Sequence, residues 1–264
     1  MRCSSQVVIL WLTMNHSFES LPNIQTVGNH DITLEADYYD KIGFERFHQG
    51  DLEKQDTAKC IDIVRNGNNV YLEDERVELM GVSFYGSPYQ PEFHQWAFNM
   101  ERGEPLKKEW AKIPDQGIDV LLTHGPPLFH GDRVNLFSAN VNPHTGCQDL
   151  RDRIKELKDV KFHVFGHVHE GYGVSVDEEI DDVMFVNAST VNFGYKVDNK
   201  PIMFYVKGRG REHCDVPSLW AADVSDGGLN GVDEQKEEDG GDAVIEQNEE
   251  NVASHTSNDK HGQE

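Results

Sequence analysis

Cysteine is scarce and scattered. Cys3, Cys60, Cys147 and Cys214 form no Cys-x-x-Cys pair. That excludes a zinc ribbon and a dense disulfide framework, and favours isolated reduced thiols in a cytoplasmic protein. No apolar run approaches the ~20 residues needed to cross a bilayer, so no membrane association is expected. Positive charge is also short. Lys and Arg number 24 against 47 Asp and Glu, a formal charge of −23. A nucleic-acid groove is therefore not expected as the main surface, whereas metal cations are compatible with an acidic body. No protein partner is legible.

The charge is unevenly spread. Residues 215–264 hold 14 acidic and 2 basic residues, with eight Leu, Ile or Val and no Phe. That apolar content is too small to offset the entropy of ordering the chain, so an acidic disordered tail is expected there. At the other end, Arg2 precedes an apolar run from Val7 to Met14. The run fits a short signal-peptide core, a buried strand or a non-native leader; Asn15-His16-Ser17 is a poor cleavage site. The expected organisation is an atypical leader or replacement strand at 1–17, one domain at 18–207 and the acidic tail at 208–264.

Between these ends, strand and helix patterns alternate. Ile24 to Val27, Val70 to Leu72, Val77 to Met80, Val82 to Tyr85, Ile118 to Thr123, Phe162 to Phe165, Val183 to Val186 and Ile202 to Val206 read as strands. Leu34 to Ile42, Ala58 to Arg65 and Cys147 to Leu157 read as helices, the last with apolar residues at 147, 150, 154 and 157. No internal repeat is present. The pattern predicts a mixed α/β layered domain.

Three polar clusters follow strands directly: GNHD (28–31), THGPP (123–127) and GHVH (166–169). In open α/β sheets ligands collect at the carboxyl ends of strands, and glycines 28, 125 and 166 permit tight turns and close backbone approach. Taken singly the signals are weak. A lone His beside a strand is more often a hydrogen-bonded residue than a ligand, as expected for His48, His94, His163 and His213, and an Asn after Gly is most often a turn residue. Their conjunction offers Asn29, His30, His124, His167 and His169, which are N and O donors suited to a borderline divalent metal.

GNHD, THGPP and GHVHEGYG resemble the third, fourth and fifth blocks of the calcineurin-like metallophosphoesterases. FYGSPYQPEFHQWAFN (84–99), GIDVLLTHGPP (117–127), HVFGHVHEGYG (163–173) and VNAST (186–190) are similar to the branch of metallophosphoesterase domain-containing proteins. The resemblance spans about Phe18 to Val206. It implies two β-sheets packed as a sandwich flanked by helices, with a pair of divalent metals (Mn, Fe, Zn or Mg) at one edge. It places Asn29, His124 and His167 on the second metal and His169 on the first. His30 would lie near the scissile phosphate and protonate the leaving oxygen, and Asp31 would fix the His30 tautomer. The two metals, roughly 3.5–4 Å apart in such sites, would activate water for in-line attack on phosphorus.

The sequence departs from that pattern in one respect. The family's first two blocks, Asp-x-His and Gly-Asp, supply most ligands of the first metal and the carboxylate that bridges both. Residues 1–30 contain no aspartate and only one glutamate, Glu19. The expectation is an N-terminally truncated domain holding at most one metal, with weak or no activity. Two functions stay open: a phosphoesterase acting on small phosphodiesters, with cyclic nucleotides among the candidates the resemblance implies, or a non-catalytic metal- or ligand-binding remnant of the same fold.

Overall fold

The computed structural model describes residues 23–50, 53–134, 143–204 and 206. The expected leader or replacement strand at 1–17, with its apolar run from Val7 to Met14, and the acidic tail at 208–264 lie outside the described residues.

The centre is a six-stranded mixed sheet in the order β3-β4-β7-β8-β10-β9. Its strands are β3 (Glu75–Leu79), β4 (Val82–Ser87), β7 (Val120–Thr123), β8 (Phe162–Phe165), β9 (Gly173–Asp177) and β10 (Ile180–Asn187). The four inner strands run parallel to one another, while β3 and β9 close the edges antiparallel. The β3–β4 hairpin turns at Met80 and Gly81, both at positive φ (56° and 79°). That is the twist-matched two-residue turn which favours glycine.

Parallel strands are buried on both faces, and their side chains alternate accordingly. Val82, Phe84, Val120, Leu122, Val164 and Val186 face one side, where Ile24 and Leu72 complete the core. Ile24 belongs to β1 (Ile24–Gln25), which pairs in parallel with β2 (Val70–Tyr71), and Leu72 directly follows β2, so a short second sheet packs on the first. Gly86 makes the approach possible, since a β-carbon there would sit 2.5 Å from Leu72 Cβ. Tyr85, Leu121, Phe165 and Phe185 face the other side, beneath α3 (Glu104–Trp110) and α4 (Gln148–Glu156). The mixed α/β layering expected from the pattern is present.

Several local expectations change. The helix expected over Leu34 to Ile42 is a short α-helical turn α1 (Ala36–Tyr38) that widens into a π-helix over Tyr39–His48. Helix α2 spans Thr57–Arg65 and is capped by Asp56. Cys147 does not lie inside α4 but caps it: its sulfur accepts from Leu150 N–H at 3.4 Å and from Trp110 Nε1–H at 3.3 Å. Residues 202–204 and 206 form no strand; Ile202, Phe204 and Val206 instead lay their side chains on the sheet face, with Phe204 stacked on Phe162 at 4.2 Å. The alternation there reflects one-sided packing without a ladder partner. Helix α3, edge strand β9 and the two-residue ladder of β5 (Gln90–Pro91) with β6 (Asn99–Met100) were not expected. No helix among the described residues is long and apolar enough to cross a membrane.

Candidate metal and phosphoester site

The carboxyl ends of β1, β7 and β8 open into one cavity of about 400 Å³, lined by Asn29, His30, Asp31, His124, His167 and His169 among others. All six residues singled out from the sequence meet there.

GNHD is a closed turn. Gly28 C=O accepts from Asp31 N–H at 2.9 Å, and the Asp31 carboxylate accepts from Gly28 N–H at 2.8 Å. With both ends tied, Asn29 and His30 occupy the two central positions and diverge. Asn29 points inward and is buried. Gly28 has no room for a side chain, because its β-carbon would fall 2.1 Å from the His124 ring. The glycine of the first motif is thus set by the histidine of the second.

In THGPP, Thr123 donates its hydroxyl to Gly125 C=O at 2.8 Å and meets His163 Nε2 at the same distance. His163 is fully buried behind the turn. This leaves His124 facing the cavity. Its Nε2 lies 2.7 Å from Asn29 Oδ1 and 3.1 Å from His167 Nδ1.

His167 adopts φ +68°, and Val168 N–H donates back to Gly166 C=O at 2.8 Å. That is a three-residue turn of the rare positive-φ type, the kind of backbone strain that concentrates at functional sites. His169 follows at the start of a short 3-10 turn and meets the ring of Tyr195 edge-on at 5.1 Å. His30 stands against Trp96, ring centroids 4.3 Å apart. Trp96 in turn stacks on Phe47 at 4.1 Å, with Arg46 over both rings and donating to His94 and Gln95 carbonyls. The π-helical segment thereby buttresses His30 through a loop whose neighbouring residues His94 and Gln95 sit at positive φ.

Burial governs the electrostatics. It holds His124 well below its usual pKa, helped by His167, His30 and His169. His167 falls to about 4 through burial and the neighbouring His30 and His169. His30 is lowered by burial, which outweighs the nearby Asp31 charge, and His169 is lowered by burial against Glu170. At neutral pH these rings are uncharged with lone pairs available, as ligation requires.

The donor types are those of a divalent-metal ligand set. The Asn29 amide oxygen and a His167 imidazole nitrogen each lie within hydrogen-bonding distance of His124 Nε2, and imidazole donors suit transition metals. Among the described residues no three His, Cys, Asp or Glu side chains are grouped closely enough to hold a metal, so neither His169 nor Asp31, though both line the cavity, joins His124 and His167 in one cluster. Sequence reasoning assigned no role to Trp96, Tyr195 or Asn187. Trp96 and Asn187 lie within the 84–99 and VNAST stretches, but their roles come from long-range contacts that the local sequence does not show, as does that of Tyr195.

Residues 7–171 match the family described as calcineurin-like phosphoesterase. The chain belongs to that family. A UPF0046 protein of Caenorhabditis elegans is 42% identical over 137 residues, 52% of this chain and 32% of that protein. Metallophosphoesterase domain-containing protein 1 of Homo sapiens is 36% identical over 195 residues, 72% of this chain and 57% of the relative, and its Mus musculus counterpart matches equally. The chain thus spans about a third to less than three fifths of these relatives' length. The family is one of metal-dependent phosphoester hydrolases.

Proposed function

We propose that this domain binds a divalent metal through Asn29, His124 and His167, with His169 beside it, and hydrolyses phosphodiester bonds of small molecules, cyclic nucleotides among them. The observation that carries the reading is the convergence of Asn29 Oδ1 and His167 Nδ1 on His124 Nε2. Manganese, iron, zinc and magnesium are the candidate ions, and imidazole favours the transition metals. Such an ion supplies Lewis acidity toward a phosphoryl oxygen and makes water a stronger acid. The protein's own part is to fix the neutral donors, orient the ester and manage the leaving group's proton. His30 lines the same cavity but packs against Trp96, whereas Asn29 meets His124. A neutral imidazole at His30 would donate its N–H to a phosphoryl or leaving oxygen, the Asp31 charge favouring protonation against the larger lowering by burial. The acidic chain and the cavity size favour a small phosphoester over nucleic acid or a membrane. The isolated thiols Cys60 and Cys147 favour the cytoplasm.

Turnover by this chain is expected to be weak. The cluster holds no carboxylate, and residues 1–30 contain no aspartate to bridge two ions, which would repel each other strongly without one. The same observation favours a second reading, a metal- or ligand-binding domain without catalysis. Metal analysis of the purified chain with Mn²⁺, together with hydrolysis of an aryl phosphodiester, tests both. One ion lost in His124→Ala, with slow turnover, supports the first reading. One ion without turnover selects the second. No ion at all refutes the first reading and the metal-binding form of the second.

A further inference from the structure

Asn187 ends β10, beside the strand that leads into GHVH. Its side chain is buried, 1% exposed, and every hydrogen-bonding position of its amide is filled. Nδ2 donates to Gly131 C=O and to Val168 C=O, both at 2.9 Å. Oδ1 accepts from Ser189 N–H at 3.1 Å and from the Ser189 hydroxyl at 2.7 Å. Two carbonyls can only accept and a backbone N–H can only donate, so the amide orientation is unambiguous.

The partners matter more than their number. Val168 lies between His167 and His169, directly after the strained positive-φ residue, and its carbonyl orientation sets the path of the chain into His169. Gly131 lies in the loop that continues from THGPP. The loops touch backbone to backbone: a β-carbon at Gly171 would fall 1.9 Å from Gly131 oxygen, and one at Gly131 would fall 3.0 Å from Asn187 Cβ. One carboxamide therefore ties the loop bearing His124 to the loop bearing His167 and His169.

We infer that Asn187, braced by Ser189, is a positioning residue that holds the His167 turn in its strained form and fixes the spacing of the site's imidazoles. A strained turn persists only where its surroundings over-determine it, and residues behind metal ligands typically govern affinity by about 10–100-fold. The metal arm of the test rests on the proposed function; a structural arm does not.

Asn187→Asp keeps the acceptor toward Ser189 but sets a carboxylate against two carbonyl oxygens. Ser189→Ala removes only the brace and should fold if Asn187→Asp does not. Co²⁺ affinity and its visible spectrum would be measured beside far-UV circular dichroism and urea unfolding. Crystal structures of the metal-free variants would give the His167 φ and the His124–His167 separation. Affinity reduced about 10–100-fold for Asn187→Asp, less for Ser189→Ala, with an altered spectrum and retained cooperative unfolding, supports the inference. Wild-type affinity and spectrum in both folded variants overturn it. If the unaltered protein binds no Co²⁺, the proposed metal site fails and the crystal structures decide alone. A His167 φ that leaves the positive region supports the inference, and an unchanged φ with the 3.1 Å contact intact overturns it.

Discussion

Gly28 and Gly125 both sit in glycine-bearing strand-end motifs, yet the structure assigns them opposite tolerances. A β-carbon at Gly28 would lie 2.1 Å from His124 Cε1 and Nδ1 and 2.5 Å from Cγ. Carbon contacts are comfortable at roughly 3.5–4.0 Å, so the ring must retreat by about 1.4 Å or more. It cannot do so in place, because His124 is buried and its Nε2 is engaged with Asn29 and His167. Overpacking costs about 1–3 kcal/mol, and each lost hydrogen bond adds about 1 kcal/mol. Gly28→Ala should therefore destabilise the domain by about 2–4 kcal/mol. A displacement of about 1 Å at a preorganised centre also costs on the order of 100-fold in function. Gly125 provides the internal control. Its β-carbon would meet only Gln90 Cβ at 3.5 Å and Oε1 at 3.7 Å, which are ordinary contacts, so Gly125→Ala should stay within about 1 kcal/mol of the parent. Urea unfolding followed by tryptophan fluorescence gives both stabilities, and Co²⁺ titration gives both affinities. A Gly28→Ala protein as stable and as metal-competent as the parent, or one indistinguishable from Gly125→Ala, would refute the close-approach argument.

Two pH dependences of opposite sign follow from buried groups. His167 titrates at about 4 in the folded chain against an ordinary 6.5, so the folded state refuses a proton that the unfolded state accepts. Its stabilisation is whole above pH 6.5 and lost as pH falls through 4, with His124 acting in the same sense. The urea midpoint of the metal-free protein should fall over that window, and less so in His167→Asn. Glu109 is pushed up to about 7 by burial and by Asp74, against the pull of Lys112. The folded state keeps this proton between pH 4.5 and 7 while the unfolded state has lost it, so the Glu109 contribution declines as pH rises through that window. Glu109→Gln should remove that decline, read as the difference between wild-type and variant urea midpoints from pH 4.5 to 8; an unchanged difference would show that Glu109 ionises normally.

How far the sequence reaches depends on the range of the interaction that fixes each feature. The inner strands are legible because burial on both faces writes itself into consecutive residues, as in Val120 to Thr123. The strand-end motifs are legible because Gly28 to Asp31 closes its own turn. Helix α3 is not, since only Leu106 and Trp110 of its seven residues are apolar and its start is fixed by Gly103 donating to Asp149 far along the chain. Strand β9 escapes because Val174 and Val176 face outward at an edge, reversing the usual sense of alternation. Ile202 to Val206 errs the other way: its alternation is real, but it serves packing onto Phe162 and not a ladder. The same rule divides the candidate site. Groups that would touch metal or phosphate are marked by short glycine- and histidine-bearing motifs, whereas Trp96 within 84–99 and Asn187 within VNAST carry no mark of the role they play. Trp96 reaches His30 across 66 positions, and Asn187 reaches Val168 and Gly131 across 19 and 56. A polar residue after a hydrophobic strand reads as a turn former until its partners are known. Asn187 becomes a structural brace only once the fold brings two distant carbonyls to its amide.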